Sequence, residues 1–131
     1  MVKNYNQEVT MLNVLFVGLG GFVGAILRYL LGLIPVENPN GFPVCTFIIN
    51  IIGAFAIGIV TALAMKYSSF DPKLVLFLKT GICGGFTTFS TFSLETVELF
   101  KSGSIAVGIM YIILSVSLCI LAVMFGQLLV K

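Results

Sequence analysis

Four long apolar runs leave this chain little choice of fold. They extend over about 11–34, 44–65, 74–100 and 105–130, and each supplies the roughly 20 residues that an α-helix needs to cross the hydrocarbon core of a bilayer. The connections between them are short, so the 131 residues leave no room for a soluble domain. Composition agrees: 59% of the residues are apolar and 9% charged, with a mean hydropathy of +1.15, against about one quarter charged in soluble domains. The expected fold is an all-α integral membrane protein of four transmembrane helices, forming one transmembrane domain over 1–131. Residues 1–10, MVKNYNQEVT, are polar and expected outside the membrane. The run after them is too long for a signal-peptide core, and no small-residue cleavage site closes it.

One stretch does not suit a helix in lipid. Within KTGICGGFTTFSTFSLE, residues 79–95, the hydroxyls of Thr87, Thr88, Ser90 and Thr91 and the glycines Gly81, Gly84 and Gly85 fall in eleven consecutive positions of an apolar run. Glycine costs about 1 kcal/mol in a helix interior, and β-branched threonine adds to that. The composition predicts a third helix broken around 84–90, near the bilayer midplane. Its unwound backbone must then face protein or a water-filled cavity. A break of this kind sets a helix C-terminus with free carbonyls beside a helix N-terminus with free N–H groups, which suit a cation and an anion respectively. Gly84 and Gly85 are expected to supply unusual backbone angles there. The competing reading is a packing face, because Gly81 and Gly85 form a small-xxx-small pair.

Charge and cysteine content exclude several classes of function. A net charge of +2 with no basic run gives no footing for nucleic acid. Histidine is absent, so no imidazole is available for metal binding or proton relay near neutral pH. Cys45, Cys83 and Cys119 are odd in number and far apart, and read as small apolar fillers. No nucleophile, base or metal-ligand set converges, so the chain is not expected to be an enzyme. Lys3, Lys66, Lys73 and Lys131 fall on one side of a four-span topology and Lys101 on the other, a modest bias placing both termini in the cytoplasm.

A few polar residues lie deep in the other spans. Arg28 follows Gly24 by one turn on the same face; it either snorkels to the interface or draws anions toward a vestibule. Asn50, with Thr46 one turn before it, is either interhelical glue or an anion ligand whose amide has two donors. Tyr111, Ser115 and Cys119 recur every four residues as a mildly polar stripe down the fourth helix. Glu95 and Glu98, on the amphipathic SLETVELFK, are expected to approach the far interface.

Three motifs, GGFVGAILRY at 20–29, INIIGAFAIG at 49–58 and above all GICGGFTTFSTFSLE at 81–95, give a family resemblance over essentially the full length. The chain resembles the Fluc (CrcB) family of fluoride channels. The resemblance implies a passive fluoride channel in the bacterial inner membrane that relieves fluoride toxicity. It implies an antiparallel, dual-topology homodimer surrounded by lipid, with two fluoride pathways and a structural sodium ion (Na+) at the subunit interface. Carried over to this sequence, Phe89 and Phe92 match the family's paired aromatics, and Asn50 its pore asparagine. Ser90, Thr91, Tyr111 and Ser115 match its polar track, with Cys119 where relatives can carry a hydroxyl. Gly84 and Thr87 match the positions whose carbonyls hold sodium, and Arg28 and Glu95 match residues near the vestibule and the lower track.

Two other classes fit the size. A four-helix exporter of the small multidrug-resistance type uses a carboxylate in its first helix, and 11–34 has none. A purely structural membrane subunit would use the 79–95 motif only for packing. Ion flux through the purified protein in liposomes separates the three.

Overall fold

The computed structural model describes residues 10–131; the expectations for 1–9, including the side assigned to Lys3, lie outside it. The described chain is helical, without strands, and four of its helices are long and apolar enough to cross a membrane: Met11–Gly32, Val44–Lys66, Pro72–Lys101 and Ile105–Leu128.

Helix α1 (Met11–Gly32) opens on Thr10, whose hydroxyl accepts from the Asn13 amide, satisfying one of the free N–H groups of a first turn. It stops two residues short of 34 in a tightened turn, with Leu33 and Ile34 amides bonded to the Leu30 and Leu31 carbonyls. Pro35 follows, and the residue before a proline is disfavoured in helix. Helix α2 (Val44–Lys66) begins directly after Pro43.

The third span starts at Pro72, earlier than 74. Asp71 caps it by accepting from the Lys73 amide, and Pro72 occupies the first helical position, where a missing N–H is no loss. One turn of α-helix, α3 (Pro72–Val75), widens into a π-helical stretch, Leu76–Cys83, and tightens again in α4 (Gly84–Phe86). Thr87 and Thr88 are extended, with φ/ψ of −80°/156° and −149°/114°. Helix α5 (Phe89–Lys101) resumes after them.

The turn to α6 (Ile105–Leu128) is a Schellman closure. The Ser104 and Gly103 amides reach back to the Leu99 and Phe100 carbonyls, and Gly103 has a φ of +84°, the left-handed conformation that glycine adopts without penalty.

Two glycine seams hold the helices. A Cβ on Gly20 would stand 2.3 Å from the Phe77 carbonyl oxygen, one on Gly24 2.2 Å from that of Ile82, and one on Gly85 2.5 Å from that of Gly21. Backbone therefore touches backbone between α1 and 72–86. The second seam joins α2 to α6, where a Cβ on Gly58 or Gly126 would come within 2.4 Å of the Val123 oxygen or 2.5 Å of the Phe55 oxygen. Lipid tails offer no hydrophobic drive for helix association, so close van der Waals approach through small residues takes its place. At the α6 end, Lys66 donates to the Val130 carbonyl at 2.8 Å, tying together the two ends on that side.

Candidate functional site: a groove beside Thr87 and Thr88

Two extended residues between helices leave backbone groups that must find partners, and α2 supplies them. Asn50 accepts from the Thr88 amide at 2.8 Å and donates through Nδ2 to the Thr88 carbonyl at 3.1 Å. This double bond sets the orientation of the amide, since only its oxygen can meet an N–H and only its nitrogen a carbonyl. One N–H of Asn50 remains. Thr88 is also the N-cap of α5: its hydroxyl accepts from the Thr91 amide at 3.1 Å and bonds the Thr91 hydroxyl at 3.0 Å, with Ser90 Oγ at 3.3 Å.

On the other side of the break, the Cys83 carbonyl accepts both the amide and the hydroxyl of Thr87, at 3.0 and 2.9 Å. The Gly85 carbonyl accepts from Arg28 Nε at 3.1 Å. Arg28 is half-buried, and its Nε–H ties it to the end of the helical run 72–86. Gly84 has ordinary helical angles, φ −66° and ψ −38°, and neither it nor Gly85 has a positive φ. The expected unusual backbone falls instead on Thr87 and Thr88, whose β-branched side chains favour extended conformations. Glycine is used at Gly85 for its close approach to Gly21.

Against this segment lies a cavity of about 380 Å³. Asn50, Thr87 and Thr88 line one side, Ser115 and Cys119 of α6 another, and Phe89 and Phe92 a third. Gly84 borders it as well, and among the described residues no charged one lines it. Ser115 Oγ is buried and has no hydrogen-bond partner among the described residues. The Phe89 and Phe92 ring centres are 5.4 Å apart, but their surroundings differ: Phe89 is 77% exposed on the single chain and Phe92 8%. Ser90 is exposed and Thr91 half-buried.

Tyr111 is completely buried, with the rings of Phe92 and Phe42 at 5.0 and 5.2 Å. Its hydroxyl donates to Glu95 Oε2 at 2.7 Å, and Thr46 Oγ1 donates to Glu95 Oε1 at 2.7 Å. Glu95 thus turns into the bundle and is not simply carried toward an interface; Glu98 is exposed. A second cavity of about 230 Å³, bordered by Thr46, Cys45, Phe42 and Ile34, opens on Glu95. Tyr111 and Ser115 therefore share a helix face but serve different surroundings. All three cysteines are free thiols, Cys83 and Cys119 on the larger cavity and Cys45 on the smaller.

Residues 15–127 match the family model described as CrcB-like protein, Camphor Resistance (CrcB). The chain belongs to the CrcB family. It is similar to proteins named fluoride-specific ion channel FluC from several bacteria. That of Ruminiclostridium cellulolyticum is 52% identical over 122 residues, covering 92% of this chain and 94% of the relative. That of Clostridium perfringens is 47% identical over 118 residues, 89% and 92% of the two chains, and that of Shewanella halifaxensis is 41% identical over 119 residues, 90% and 95%. With its four membrane-length helices, this CrcB protein is a multi-pass membrane protein, and the relatives it matches are named as channels and not as enzymes.

Sequence patterns alone undervalue three residues of the CrcB site. Thr88 stands out only as one hydroxyl among four, yet it is both cap and clamp point. Thr46 is visible as a hydroxyl one turn from Asn50, but its acceptor, Glu95, is 49 residues away. Phe42 sits in a connecting loop, where its only signal is an aromatic preceding a proline at the start of a span.

Proposed function

We propose that this protein is a passive fluoride channel of the bacterial cell membrane, working as an antiparallel dual-topology homodimer with two pathways and a structural sodium ion between the chains. The observation that carries the reading is the larger cavity: its lining is mostly apolar, with Asn50, Thr87, Thr88 and Ser115 as its few polar side chains and the rings of Phe89 and Phe92 beside them, and no charged side chain lines it among the described residues. A small anion is expensive to dehydrate, so a selective path must offer donors at close range without a fixed charge that would trap it. Asn50 has an N–H to spare beyond its bond to Thr88, and Ser115 has a hydroxyl unpaired among the described residues. Phe89 and Phe92 can turn ring edges, the positive part of the quadrupole, toward an anion. The names of the relatives point to the same ion.

In this reading the third span crosses the membrane as a broken helix, and its break meets its mate at the midplane. One chain leaves Phe89, Ser90 and Gly84 exposed; a two-fold axis covers the same surface on both chains at once. The carbonyls of Gly84 and Thr87 fit a sodium site. The amides that would close a helical turn onto Gly84 belong to Thr87 and Thr88, and they go to Cys83 and Asn50. Neutral backbone oxygens of this kind suit a hard cation. Sodium bound there would place positive charge between the two anion paths.

The test is efflux from liposomes containing only the purified protein. Fluoride leaves rapidly and chloride does not; equal rates for both would defeat the reading, and proton-coupled exchange of a cationic drug would point to an exporter.

A further inference from the structure

The side chain of Arg28 carries a charge and also a directed donor, and its contact with the third span uses the donor. We propose that Arg28 is a positioning residue, whose Nε–H fixes the Gly85 peptide and thereby aims the neighbouring Gly84 carbonyl at the sodium site. The proposal rests on the sodium reading above.

Three successive carbonyls, those of Cys83, Gly84 and Gly85, lie near the end of the helical run 72–86. That of Cys83 is held by the amide and hydroxyl of Thr87, and that of Gly85 by Arg28. The carbonyl between them, on Gly84, receives neither of the amides that would normally cover it. The Gly84 peptide plane therefore lies between two held carbonyls, with its own oxygen left without those donors. Gly84 and Gly85 have no Cβ to limit rotation of that plane, so the outer anchors determine where the oxygen points. The anchor on the Gly85 side comes from α1. A Cβ on Gly24 would stand 2.2 Å from the Ile82 oxygen and 3.1 Å from the Gly85 carbonyl carbon, and Arg28 lies one turn beyond Gly24 on the same face. The seam delivers the side chain to the place where the helix needs a donor, and a cation suits a helix C-terminus.

The bond uses Nε, not the terminal nitrogens, and this separates donor from charge. In Arg28→Gln, the amide nitrogen is attached to Cδ as Nε is in arginine, so the N–H stays in place while the charge is removed. In Arg28→Lys the charge stays, but a methylene stands where Nε was. If Arg28 positions the carbonyl, Gln resembles wild type and Lys does not; if it acts as an anion-attracting charge, the order reverses.

Purified dimers are titrated with sodium at constant ionic strength, with a large organic cation as replacement, and thermal stability is followed. The half-saturating sodium concentration rises about ten-fold or more in Arg28→Lys, the scale of one hydrogen bond from a charged donor, and stays within about two-fold of wild type in Arg28→Gln. Assembly lost in Lys but kept in Gln supports the proposal equally, because charge and bulk are retained in Lys. A Lys variant that binds sodium like wild type overturns the proposal. Backbone hydrogen exchange of 84–90 without sodium provides a second readout: faster exchange in Lys than in Gln or wild type is expected, and equal exchange in all three overturns it. If wild type itself shows no sodium response, the sodium reading fails, and the exchange data still decide whether Arg28 holds the Gly85 peptide.

Discussion

Asn50 is bonded twice to one peptide unit, and its replacements distinguish structural from conducting roles. Asn50→Asp keeps the acceptor for the Thr88 amide but sets a carboxylate oxygen against the Thr88 carbonyl. We expect a loss of about 2 kcal/mol in stability, the scale of a buried group left unpaired, with fluoride flux near background. Thermal unfolding in detergent checks the first part, and an unchanged midpoint would show that the clamp contributes nothing. Phe89 and Phe92 require a different substitution. Isoleucine keeps bulk and apolarity but removes the ring edge, the positive part of the quadrupole. Flux through Phe92→Ile should fall on the order of ten-fold while the dimer persists on size exclusion. Wild-type flux would mean that the ring acts only as packing against Tyr111. At this scale much is legible in the sequence. Asn50, Ser115 and the Thr/Ser cluster stand out because polar atoms are rare in such a chain, and their surroundings follow from that rarity. The Glu95–Thr46–Tyr111 contact is not legible, because it joins three helices through side chains whose spacing in sequence carries no period. Arg28 is visible as costly, but its partner is a backbone carbonyl 57 residues away, which no side-chain pattern signals.

Among the elements, the glycines of the third span fall into two kinds. Gly81 and Gly85 lie against the α1 backbone, so a methyl group at either would drive the helices apart; a Cβ on Gly85 meets the Gly21 oxygen at 2.5 Å. Gly84, between them, has nothing from another helix among the described residues within 4 Å of where its Cβ would stand. Gly85→Ala should therefore cost about 1–3 kcal/mol through overpacking and destabilise the single chain. Gly84→Ala should leave the chain folded and weaken only its association. Circular dichroism and cross-linking of the two variants separate these effects, and a Gly84→Ala protein that dimerises normally would argue against this surface as the interface. Hydrophobic length alone announces the four spans. Their ends are set by local chemistry that the sequence also contains, such as Asp71 and Pro72 opening the third span. The π-helical widening over Leu76–Cys83, which lies against α1, has no such mark in the sequence.

For the whole molecule, the lysine bias and the dimer proposal make opposite predictions about orientation. A single cysteine introduced as Lys131→Cys, in a chain with Cys45, Cys83 and Cys119 replaced, should be labelled from both sides of the membrane in roughly equal amounts if two chains pair antiparallel. Uniform labelling from the cytoplasmic side would restore the charge bias and defeat the antiparallel dimer.

The glycine seams also have a mechanical meaning. Helices in contact through their backbones cannot slide past each other without collision, so α1 with 72–86, and α2 with α6, behave as two riveted plates. Arg28 adds a bolt within the first plate, and Asn50 ties the extended residues that follow it to the second. A machine that alternates its opening between two sides needs a hinge between such plates, and here the place where a hinge would sit is cross-braced. Ions would then pass through a stationary slot at a pace set by their own diffusion. Fluoride flux should accordingly rise with temperature as gently as diffusion in water does, without the steep dependence of a carrier that must reshape itself in every cycle.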